Sequence, residues 1–456
     1  MAIELYKPPV ISFYQKSRKK KALLIFVKMK KCLLTTLLLS LVFSFSLFSQ
    51  TDSSNVFFKG ASREKRNNLY RNIVQNTISK NLSLPLTFDT EENWMDAFGA
   101  IELLRYQSPW INGRVSLAID SMEKRSPSFQ RALLELVFST YPNQFVKQVS
   151  YLMNNCADAK VFAMAAAYRM QNNLPCFTNT QMENKITQLI KTKKDEAITQ
   201  QLLYSIHPPP FQQNSVPVSD ILHPGFLKNN TILFSFQRKN RNYPGLALVR
   251  DTAGNFIKDD NGNIFSVPQL ARSISNLPGY LTNGNTPQGI FWMHGFNISR
   301  TSFIGPTTNI QLSMPFETSL RNFFYNATIT DTAWTEEWYK KLLPANLANY
   351  LPLYESFYAG KAGRSEIIAH GTTVDPGYYA GEKYYPQTPT MGCLCTKEIW
   401  SDEDGKRVES DQQKLVNALQ LAGGAKGYCV VLEIDDAQKP VTIEEILSFI
   451  QNAAAL

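Results

Sequence analysis

The stretch HPPPF, His207 to Phe211, constrains this chain more than any other. Three consecutive prolines cannot continue a helix, and they favour an extended link. On either side of that break the texture of the sequence differs. Before it, apolar residues recur at helical spacing. After it, short β-rich runs alternate with turn dipeptides. The chain therefore reads as multidomain, with an N-terminal all-α domain over 51–210, a mainly β domain over 215–436 and a closing helix over 437–456.

The helical half carries local signals. Ser126-Pro127 is an N-cap followed by proline in the first turn. Phe129, Leu133, Leu136 and Val137 then fall on one face. Similar apolar faces follow in 145–153 and 159–170, joined by turns such as YPN (141–143) and NNLP (172–175). No strict repeat period is present, and the expected role is to support or position another part of the chain.

Beyond the prolines, TILFSFQ (231–237), GLALVRD (245–251), GIFWMHG (289–295), SEIIAHG (365–371) and GYCVVLEID (427–435) read as strands. DNGN (260–263) is a turn signal. TIEEILSFIQNAA (442–454) reads as the closing helix.

The net charge of +9 suggests nucleic acid until it is located. Residues 1–31 hold nine basic side chains against the single acid Glu4, so nearly all of the excess lies there. No basic face remains for nucleic-acid binding. Met29-Lys30-Lys31, the apolar run Cys32–Phe48 and the polar SQTDSSN have the layout of a secretory signal. Residues 1–50 are thus an N-terminal extension and signal peptide, the protein is exported to the periplasm or cell envelope, and Met29 is an alternative start. An uncleaved signal would be the one route to a membrane.

Cysteines then carry the chemistry. Without Cys32 the chain keeps Cys156, Cys176, Cys393, Cys395 and Cys429, an odd number that leaves a free thiol in an exported protein. Cys393 and Cys395 stand one residue apart, a spacing that strains a disulfide. It also differs from the C-x2-C of zinc sites, and with four histidines in the chain no second ligand pair appears, so no metal and no cofactor is expected. A nucleophile remains. A thiol becomes reactive when a neighbour lowers its pKa, and histidine is the usual partner. His370 ends a strand with Gly371 after it, and Gly392 precedes Cys393 with room for a substrate to approach the backbone. The amides of Leu394 and Cys395 are candidates for an oxyanion site.

TPQG (286–289), IIAHG (367–371) and TMGCLC (390–395), in that order, resemble the L,D-transpeptidase catalytic domain of the YkuD type over roughly residues 230–436. The resemblance implies Cys393 as nucleophile and His370 as general base, a backbone carbonyl orienting the imidazole, and peptidoglycan stem peptides as partners. The thiolate would attack a stem tetrapeptide and expel D-alanine, and a second stem's amine would resolve the thioester as a 3→3 cross-link. Water as acceptor would make an L,D-carboxypeptidase or peptidase. An inactive wall-binding module is the reading from another class.

This chain departs from the family at three places: Met391 stands where histidine is frequent, Cys395 where arginine or asparagine is usual, and the His370–Cys393 spacing is long. The departures bear on substrate-carboxylate recognition and on the acceptor. Gly371, Thr390, Met391, Tyr384, Tyr385 and His294 are the candidate substrate contacts. The tyrosines of the long connection cover the substrate or simply pack. Family order puts the base at His370 rather than at the second HG, His294-Gly295.

Overall fold

The structure, a computed structural model, describes residues 55–174, 179–208 and 218–454. The expected export signal, Cys176 and most of the proline break lie outside them. Among the described residues no helix is long and apolar enough to cross a membrane.

The first half is helical, as its periodicity predicts: α1 (Arg63–Asn72), α2 (Glu91–Leu104), α3 (Pro109–Ser121), α4 (Pro127–Thr140), α5 (Val146–Asn155), α6 (Ala159–Gln171), α7 (Asn179–Leu189) and α8 (Lys193–Ile206). Local chemistry sets the starts. Ser126 Oγ accepts from Phe129 N at 3.2 Å with Pro127 in the first turn, and Ser108 with Pro109 repeats the device on α3. Thr192 and Asp195 form a capping box on α8. The helix ends at His207, directly before Pro208.

After α9 (Val218–Leu222) come the strands. β1 (Thr231–Arg238), β2 (Gly245–Arg250), β3 (Ser266–Leu270), β4 (Gly289–Ile298), β5 (Thr308–Ser313), β6 (Ile368–His370), β7 (Leu394–Thr396) and β10 (Lys426–Asp435) close a mixed eight-stranded barrel. Its order is β1-β10-β4-β5-β6-β7-β3-β2, and β8 (Glu398–Trp400) pairs with β9 (Arg407–Ser410) apart from it. β1/β10 and β6/β7 are parallel, and the other barrel pairs are antiparallel.

The second half is less purely β than its sequence suggests. Between β5 and β6 it holds α10 (Glu355–Lys361), and between β9 and β10 it holds α11 (Asp411–Leu421). α11 sends Leu415, Val416, Ala418 and Leu419 into the barrel's interior cluster with Leu233, Val249, Phe291 and Val431. The closing helix, α12 (Ile443–Ala454), forms as expected.

β1 is buried along its whole length because both faces are covered. Leu233 points into the barrel. Ile232, Phe234 and Phe236 point outward into a second cluster that continues through Trp94, Phe98, Phe129 and Phe162 of the helices. Each such side chain contributes about 1.5–3 kcal/mol on burial. Helices and the outer face of the barrel therefore share one apolar cluster, and the described residues form one compact unit.

Candidate active site

β6 and β7 bring the two motifs together. They pair in parallel with Ala369 opposite Leu394 and His370 opposite Cys395. Ala369 and Leu394 enter the barrel interior, so His370 and Cys395 share the outer face. Cys393 precedes β7 by one residue, and its sulfur lies beside the start of β6, at Ile368 N and Glu366 O.

The Cys393 side chain is half-buried. Its sulfur accepts from Ile368 N at 3.5 Å, and its S–H points at Glu366 O at 3.6 Å. Burial pushes the thiol up from its ordinary pKa, and the Ile368 amide and the Arg364 guanidinium pull it back. Its resting state is the neutral thiol.

His370 is buried, and burial lowers its imidazole to about 4. Nδ1 and the carbonyl oxygen of Gly371 are 2.5 Å apart, so Nδ1 carries the proton and donates it. Nε2 is left as the acceptor, the tautomer a general base needs. This meets the expectation of a backbone carbonyl orienting the ring. No hydrogen bond joins His370 to Cys393 among the described residues. Bonds of this kind in substrate-free sites are often long and tighten when substrate binds.

The two motif glycines do a different job from the one their sequence suggests. Gly371 has no positive φ and makes no sharp turn; a Cβ there would fall on the Glu398 carboxyl group. Gly392 has φ +117, and a Cβ there would fall on Nη2 of Arg364. Its bare backbone makes room for an arginine rather than for substrate. The loop is tied down around it: Thr286 donates to Gly392 O at 2.8 Å, Gly392 N donates to Thr390 Oγ1 at 3.0 Å, and Thr390 Oγ1 donates to Cys393 O at 2.9 Å.

Arg364 is 5 % exposed. Its Nη1 donates to Gly279 O and to Asn285 O (2.6 Å), and its Nη2 to Gly284 O at 2.5 Å. Glu398, equally buried, accepts from Thr307 Oγ1 at 2.6 Å and Ser410 Oγ at 2.5 Å, while its Oε2 has no partner. Burial raises its carboxyl to about 7. Sequence reading missed both residues, since neither belongs to a motif and each matters through contacts distant in sequence.

Several expected contacts change role. Cys395 is fully buried, near Thr388 Oγ1 (3.9 Å) and Thr396 O (3.7 Å), and burial pushes its thiol far up. Within β7, Cys395 is paired on both edges, with Leu270 and His370, and Leu394 on one, with Ala369. Cys393 precedes that ladder. Thr390's hydroxyl is spent on its own turn. Tyr384 is buried against Tyr379 and beneath Arg272, whose guanidinium lies 4.9 Å from the ring centre. Packing is thus its role. Tyr385 and Met391 are exposed. His294 stacks on Trp292 at 4.3 Å and lies 3.2 Å from Ser313 Oγ, with no bond to Cys393.

The helical half reaches both loops of the site. Tyr379 donates to Leu103 O at 3.0 Å and Arg105 pairs with Glu382 at 2.9 Å, which fixes the 371–390 connection. Lys160 donates to Thr282 Oγ1 at 2.9 Å and Asn283 donates to Glu135 at 3.0 Å, which fixes the loop that cradles Arg364. No family model, no curated protein and no solved structure matches this chain.

Proposed function

We propose that the protein is an exported cysteine-dependent L,D-transpeptidase acting on peptidoglycan stem peptides. Cys393 gives its thiol proton to Nε2 of His370, and the sulfur attacks the carbonyl at the L-centre of the diamino acid. The tetrahedral intermediate collapses, D-alanine leaves with the proton from His370, and a thioester remains on Cys393. The amine of a second stem then attacks the thioester and restores the thiol.

The parallel β6/β7 pairing supports this reading most, because it carries the strand-end histidine on one strand and, on its neighbour, the residues that directly follow the glycine-cysteine pair. A neutral His370 suits it too, since a histidine charged at rest could not take the thiol's proton. The test is intact mass after exposure to a stem tetrapeptide. The reading expects an adduct equal to the peptide less D-alanine, mapped to Cys393 and absent in Cys393→Ala. No adduct on the folded wild type, with tetrapeptide or with a carbapenem, overturns it.

A further inference from the structure

Arg364 is a buried cation without a carboxylate partner among the described residues. Its hydrogen bonds go to three neutral carbonyls, of Gly279, Gly284 and Asn285. A buried charge is costly unless an opposite charge balances it. Burial lowers its guanidinium to about 10, and the Cys393 sulfur, once charged, opposes this shift ahead of Glu355 and Glu317.

Geometry agrees. Nη2 packs on Gly392, the residue before the thiol, so closely that no side chain fits there. The carbonyls cradling the guanidinium belong to the loop leading into TPQG. The neighbouring charged groups do not take its place. Glu317 Oε2 and Oε1 accept from Met314 N (2.6 Å) and Glu366 N (2.8 Å), Glu366 makes no ion pair with Arg364, and Lys194 lies over Gly363 with the same sign as the arginine. Lys160 adds a further positive charge in range.

We propose that Arg364 supplies the counter-charge to the Cys393 thiolate formed when His370 takes the proton. It supports the nucleophile through the field behind Gly392, in a chain whose position 395 holds cysteine instead of arginine or asparagine. This rests on Cys393 being the nucleophile. The neutral imidazole gains a proton and the sulfur a negative charge, and the arginine holds that charge without exchanging a proton.

The test is alkylation of Cys393 by iodoacetamide as a function of pH in the full chain, resolved from the other cysteines by peptide mapping. Arg364→Gln keeps a donor for the carbonyls and removes the charge. It should slow alkylation at neutral pH about tenfold, which corresponds to about one unit in thiol pKa. Arg364→Lys should move the profile the same way by less, because an ammonium cannot reproduce the planar fork. Profiles superimposable on wild type in both folded variants overturn the proposal. If Arg364→Gln does not fold, Arg364→Met, which also removes the charge, decides alone, and an unmoved profile overturns it. The alkylation needs no stem peptide, so the two readings fail separately. A wild type that never acylates but whose profile moves with Arg364→Gln overturns the transpeptidase and keeps the counter-charge; acylation with an unmoved profile does the reverse.

Discussion

The hydroxyl of Thr286 donates to the carbonyl of Gly392 at 2.8 Å, across 106 positions of sequence. The threonine opening TPQG thus holds the residue before the nucleophile. Both groups are buried, so the bond has little competition from water. Two motifs far apart in the chain are one structural unit.

Thr286→Val keeps the shape and removes the donor, which leaves the Gly392 carbonyl unpaired. A buried acceptor without a partner costs about 1–3 kcal/mol. The variant should melt at lower temperature and acylate more slowly, with an unchanged site of modification. A Tm and acylation rate equal to wild type would show that the bond does not hold the loop.

His370→Ala should lower acylation by roughly a hundredfold or more, the usual worth of general-base assistance. His294→Ala should have a small effect, since His294 faces Trp292 and Ser313. Because burial lowers His370 to about 4, the imidazole is neutral above that pH. kcat/KM should therefore fall on the acid side only as pH drops through about 4, below the usual histidine range. An acid limb near 6.5, or a larger loss at position 294, would remove His370 from the role.

How much of this was legible follows from the length of the elements. β1, β2, β4 and β10 are apolar runs of six to ten residues, and all four are readable. β7, β8 and β9 have three or four residues, too few for a period; β3 carries a proline, and both β3 and β5 are interrupted by polar residues. Barrel closure depends on pairings such as Leu270 with Cys395, which no local pattern records. At the site, Cys393 and His370 were readable because they stand in motifs. Arg364 was not, because a lone arginine in KAGRSE gains meaning only when Gly392 packs on it. Tyr384 misled because four tyrosines in a Gly/Pro-rich stretch look alike until the fold buries one and exposes another.

Glu398 makes stability depend on pH. Burial raises its folded carboxyl to about 7, above the unfolded value, so the folded state binds the proton more tightly. Its penalty is absent below about 4.5, grows as pH rises toward 7 and is complete above it. Glu398→Gln removes the ionisation, so the variant should gain on wild type between pH 5 and 8, by up to about 3 kcal/mol. Denaturant midpoints at the two pH values measure it. A stability difference that does not change with pH would show that Glu398 keeps an ordinary pKa.

Cys393 and Cys395 should separate cleanly although one residue divides them. Both lie ahead of or within β7, but Cys395 is opposite His370 and Leu270 under the 371–390 connection and has no exposed surface. Its thiol is pushed far up by that burial, so almost none of it is thiolate near neutrality. Cys393 keeps access to solvent, an Ile368 N–H on its sulfur and the Arg364 charge behind it. Cys393→Ala should abolish thioester formation and carbapenem labelling, with little effect on Tm. Cys395→Ala should keep both reactions and lower stability by about 1 kcal/mol, the cost of removing one buried group of that size from a packed site. An adduct on Cys395 that survives Cys393→Ala would move the nucleophile to the buried thiol and require the 371–390 connection to open.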